Sequence, residues 1–104
     1  MGWSIHIGED EGVNYTHNTN RMIREAGIPD WPYNFLDHIQ DDGCAGDMIE
    51  PLCKAICNML KDPEKYKEMN PANGWGNYKS LLTVLMELVV LCAENPSASV
   101  RHWS

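Results

Sequence analysis

Residues 70–96 read NPANGWGNYKSLLTVLMELVVLCAENP, and the fold turns on how this stretch divides. From Leu81 to Ala93 every residue is apolar except Thr83 and Glu87. A bilayer crossing needs roughly 20 apolar residues, so this shorter run reads as a core helix. Asn77 supplies an N-cap and Asn95-Pro96 a stop, which predicts the longest helix from Asn77 or Tyr78 to Glu94. Its middle is apolar nearly all round. A helix of that kind belongs between layers or at an interface between copies of the chain.

The polar half of the stretch reads first as a helix entry. Pro71 ends a preceding helix, Gly74 and Gly76 permit backbone angles closed to other residues, and Asn77 caps the long helix. Trp75 and Tyr78 then pack over the helix start with their polar tips near water. Asn70 and Asn73 are left over. Exposed helix amides flanked by Trp, Tyr and asparagines also suit a phosphate or a stacked base, so a ligand surface stands beside the structural reading.

Working outward, Trp3, Ile5 and Ile7 alternate with Ser4 and His6, the period of a strand with one buried face, and Gly8 with the following EDEG ends it. SASVRHW alternates again near the other terminus, with Ala98, Val100 and His102 on one side. Two strands alone are marginal in water. The two termini are therefore expected to pair and to lie on a helical layer.

Helices fill the interval. NRMIREAG carries Met22, Ile23 and Ala26 after Asn18 or Thr19 as N-cap, and a second short helix is expected from about Pro32 to Ile39. Met48, Ile49, Leu52, Cys53, Ile56, Met59 and Leu60 form an apolar stripe. Pro51 within it predicts a kink or a distinct first turn ahead of a main helix from Glu50 or Pro51 to Leu60. Asp62-Pro63 starts a further short helix. The expected fold is α+β, mainly α: one domain, residues 1–104, with two terminal strands in a small antiparallel ribbon packed on four or five helices.

Charge narrows the partners. A net charge of -7 with a pI near 4.8 repels phosphate backbones. The basic residues form no patch, because Lys61, Lys65 and Lys67 are interrupted by Asp62, Glu64 and Glu68. Direct nucleic-acid binding is not expected, and a protein partner with a basic surface is favoured. The acidic residues Glu9, Asp10 and Glu11 and the pair Asp41-Asp42 are read as solvated turns. The first residues, MGWSIHIGEDEG, lack a basic and an apolar signal region, so a cytoplasmic location with four reduced cysteines is expected.

Catalytic and metal chemistry finds little footing. G-x-S-x-G, H-E-x-x-H, P-loop and G-x-G-x-x-G patterns are all missing from the sequence. Cys53 and Cys57 stand one helical turn apart, but such cysteines on an apolar stripe pack as small hydrophobes, and zinc knuckles use tighter spacing. Asp41, Asp42, Asp47 and Glu50 miss the spacing of a calcium loop. Pairing of the termini would bring His6 near His102, as ordinary surface histidines or as a titrating or metal-binding pair. No cofactor is called for. Seven residues remain as the binding surface: Asn14, Tyr15 and Asn18 from VNYTHNTN, and Asn70, Asn73, Trp75 and Tyr78 from the second segment.

NYTHN, MIREAG, EPLCKAI, DPEKYKEMNPANGWGNYKSLL and CAENPSASVR together resemble a family of small uncharacterised proteins encoded by bacteriophages and by bacterial, often actinobacterial, genomes. The most specific element is the DPxxY…NPxNGWGxY stretch from Asp62 to Tyr78, and the cysteine content departs from the family pattern. The resemblance implies a context rather than a chemistry. The expectation is a non-enzymatic phage-type accessory protein, such as a counter-defence factor, that binds a host or phage protein in the bacterial cytoplasm. The alternative is a small-molecule binder that sequesters a nucleotide or a nucleotide-derived signal.

Overall fold

The computed structural model describes residues 2–9 and 11–103. Three antiparallel strands, β1 (Gly2–Ile7), β2 (Glu11–Thr16) and β3 (Val100–Trp103), form one sheet in the order β2-β1-β3. The helices are α1 (Asn20–Glu25), α2 (Tyr33–Asp42), α3 (Ile49–Lys61), α4 (Pro63–Lys67) and α5 (Tyr78–Glu94). Short 3-10 turns at His17–Thr19 and Ala45–Met48 lead into α1 and α3. The mainly helical α+β architecture is the one expected.

The termini do pair, with Ile7 opposite Val100 and Ile5 opposite His102. Between them in sequence lies a strand that the two-strand expectation omitted. β2 sets Val13 against Ile5 and Tyr15 against Trp3, so the ribbon is a three-stranded sheet. Only Val13 and Tyr15 carry its alternation, and Asn14 between them disfavours strand. The pairing with β1 overrides that local preference. Gly12 is required here, since a Cβ would stand 2.8 Å from the Ile5 carbonyl oxygen. Of the acidic cluster assigned to a turn, Glu9 lies in the turn, Asp10 lies outside the described residues and Glu11 opens β2.

One face of the sheet is buried by helices through Trp3, Ile5, Ile7 and Val100. Trp3 meets Trp31 edge to face at 5.2 Å, and the Trp31 indole N–H donates to the buried Asn20 Oδ1 at 3.0 Å. The start of α1, the segment before α2 and the sheet are thereby joined inside the core. α5 lies between β2 and α3, as its apolar circumference demanded. Leu81, Leu85, Leu88 and Cys92 are wholly buried along it.

Local signals placed most boundaries. α5 starts where Asn77 accepts from the Ser80 N–H at 2.9 Å. Pro51 falls in the first turn of α3, where its missing N–H has no intrahelical partner to lose, and the preceding 3-10 segment is the distinct turn. Two details differ. α2 continues to Asp42, past Ile39, and although Thr19 does stand at the N-cap of α1, the side-chain cap bond comes one turn earlier, where the Thr16 hydroxyl at the start of the 3-10 turn accepts from the Asn18 N–H.

Candidate functional site

After α4 the chain turns back over its own end, with the Asn70 N–H donating to the Lys67 carbonyl. Asn70 Oδ1 then accepts from the Tyr78 N–H at 2.8 Å, and Asn73 Oδ1 accepts from the Trp75 N–H at 3.0 Å. Each amide oxygen holds the backbone of this loop, while both side chains stay exposed. Gly74 and Gly76 have φ of 77° and 92°. Gly76 presses so closely on the β2 end that a Cβ there would meet Thr16 Cγ2 at 2.5 Å.

Two contacts from the first segment complete the loop. The Tyr15 hydroxyl accepts from the Asn77 N–H at 3.0 Å, and Asn18 Nδ2 donates to the Trp75 carbonyl at 3.5 Å. Residues chosen from distant parts of the sequence thus meet: Tyr15 and Asn18 with Asn70, Asn73, Trp75 and Tyr78. Asn14 sits apart, on β2 opposite Ser4 and exposed.

The ring systems divide sharply. Tyr78 is buried, and its hydroxyl donates to the Met59 carbonyl at 2.7 Å, so it serves the core instead of lying open to a ligand. Burial, and then the neighbouring Tyr66, raise its phenol above the ordinary tyrosine value. Trp75 is 69% exposed. The indole therefore projects from a backbone that is fixed on both sides.

Other candidate groups are drawn into the fold. Cys92 is buried, which pushes its thiol up to about 11, and Asp47 accepts from the Cys44 N–H. Among the described residues no three His, Cys, Asp or Glu side chains gather closely enough to hold a metal. His6 and His102 occupy adjacent strands but opposite faces. His102 lies opposite the buried Ile5 and bonds Asp37 Oδ1 through Nε2 at 2.7 Å, while His6 stacks edge-on against Trp103 at 4.6 Å. Among the described residues no helix is long and apolar enough to cross a membrane.

Sequence reasoning assigned α5 to a place between layers or between copies of the chain, but not the face that stays open. An open groove of about 490 Å³ runs between α5 and β2, and a second of about 300 Å³ separates α5 from α3. The excess of apolar residues on α5 was its only signal, and assigning that face required knowing what covers the rest of the helix. No protein-family model matches the chain, and no match was found among curated proteins or solved structures.

Proposed function

We propose that this chain is a non-enzymatic binding protein that inserts Trp75 into a recess on a partner protein. The observation that carries this reading is the 69% exposure of an indole on a loop whose Trp75 N–H donates to Asn73 Oδ1 and whose Trp75 carbonyl accepts from Asn18 Nδ2. Burying the exposed part of a tryptophan side chain contributes about 3 kcal/mol. A backbone already ordered before binding loses little further entropy, which is the usual economy of an interface anchor. The charge of -7 favours a partner with a basic surface. Resemblance to phage and bacterial proteins makes a phage-type accessory role in the host cytoplasm, including counter-defence, the biological form of this proposal.

Sequestration of a nucleotide is less well supported, because Asn18 Nδ2, Asn70 Oδ1 and Asn73 Oδ1 already bond the protein's own backbone, which leaves one end of each amide to a ligand. Catalysis is disfavoured too, since the groups whose ionisation the fold displaces, Tyr78 and Cys92, lie in the core.

The test pairs affinity capture from bacterial lysate with native mass spectrometry of freshly purified protein. A host protein retained by the wild type and lost with Trp75→Ala, at unchanged circular dichroism, supports the proposal. Equal retention by both forms overturns Trp75 as the anchor. A stoichiometric small-molecule mass adduct would move the assignment to sequestration.

A further inference from the structure

The solvent-facing residues of α5 are Lys79, Ser80, Thr83, Met86, Glu87, Val90, Ala93 and Glu94, and one stripe within this face, Lys79, Thr83, Met86, Val90 and Ala93, recurs at spacings of four, three, four and three. That is the 3.5-residue period of a helix-pairing seam. At its centre Met86 and Val90 are 41% and 55% exposed, although large apolar side chains gain by leaving water. They form a ridge between the two grooves: Gly12, Val13 and Leu91 line one side, and Cys53, Ile56 and Cys57 the other. About a two-fold axis perpendicular to α5 the two ridges meet face to face, and Met86 and Val90, one turn apart, can interdigitate along the helix direction.

Charge selects the direction of pairing. The exposed ionic residues of α5 are Lys79 in its first turn, Glu87 in the middle and Glu94 at its end. An antiparallel pair that sets Met86 against Val90 of the second copy leaves each Lys79 about 4.5 Å along the axis from the other copy's Glu94. A lysine side chain spans that offset. A parallel pair would instead oppose lysine to lysine and glutamate to glutamate.

We propose that the protein forms a two-fold homodimer through an antiparallel contact between the α5 helices. This surface is separate from the Trp75 loop, so the dimer stands or falls independently of the partner reading. Glu87 flanks the seam near the axis, on the β2 side, where the two copies repel one another. The dimer is therefore concentration-dependent, and Glu87→Gln tightens it.

Sedimentation of the full chain at physiological ionic strength, from dilute to near-millimolar concentration, tests the proposal. The mass should rise from 11.8 kDa towards twice that value. Val90→Asp, at an exposed position that tolerates the change in the folded monomer, should weaken the dimer at least about tenfold with unchanged circular dichroism. Lys79→Glu should weaken it by a similar factor, and Lys79→Glu combined with Glu94→Lys should restore it. A wild type that stays monomeric throughout overturns the dimer and leaves the face to a different protein. Dimerisation unaffected by Val90→Asp places the contact elsewhere, and failure of the double charge swap rules out the antiparallel pair.

Discussion

The Tyr15 hydroxyl accepts a hydrogen bond from the Asn77 N–H at 3.0 Å, tying β2 to the residue that caps α5. One bond therefore couples the sheet edge, the Trp75 loop and the start of the longest helix. Tyr15→Phe removes it while keeping the ring, and a stability loss of about 1 kcal/mol in urea denaturation is expected. Limited proteolysis should show faster cleavage within residues 70–77 in the variant. Equal cleavage rates would mean that the bond does not hold the loop.

Gly74 and Gly76 separate backbone strain from steric clash. Both have positive φ, but nothing lies within 4 Å of a Cβ placed on Gly74, whereas one on Gly76 meets Thr16, Thr19 and Tyr15. Gly74→Ala should cost about 1 kcal/mol from strain alone. Gly76→Ala should cost about 2 kcal/mol more, because the loop must lift from β2. Thermal unfolding of both variants measures the difference, and equal losses would contradict the close contact.

Asn20 is one of two buried polar residues in the described core, and it is held there by the Trp31 indole. Asn20→Ala leaves that N–H without its acceptor in an apolar site, with an expected loss of about 2 kcal/mol. Trp31→Phe removes the donor and also leaves a cavity. The double variant should lose less than the sum of the singles, because no orphaned donor remains. Strict additivity in a double-mutant cycle would show that the bond contributes nothing.

Alkaline pH should destabilise the fold through Cys92 and Tyr78. Burial raises the Cys92 thiol to about 11 from 9.0, and Tyr78 is raised from 10.0 by burial and by Tyr66. In the window between the unfolded and folded values the unfolded chain has lost a proton that the native chain keeps. Stability is thus unaffected by these groups below pH 9, and falls as pH rises from there towards 11, by at most about 1.4 kcal/mol per pH unit for each group. Cys92→Ala should flatten the lower part of that decline in urea titrations. At neutral pH, exposed Cys57 should react with a thiol reagent well before Cys92.

The seven residues singled out for binding show how far a sequence reaches. Asparagines beside glycine and proline announce backbone-bonding chemistry, and Asn77 does cap α5. What cannot be read is whether an asparagine bonds its own loop or remains free. Asn73 reaches only two residues along the chain, but Asn18 reaches Trp75 across 57. Trp75 and Tyr78 are near neighbours of similar character, yet one is exposed and the other buried, because Tyr78 begins the helix that packs on α3 and Trp75 precedes it.

By itself the sequence determined the helices, the cap of α5 and the alternation of the two end strands, because these follow from side-chain period and from contacts within a few residues. Tertiary structure alone decided that VNYT is a strand, that His6 and His102 face opposite ways, and that Met86 and Val90 stay uncovered. Each of those outcomes depends on which surface arrives from a distant segment. Strand pairing and burial are settled between partners, so neither partner's residues specify them alone.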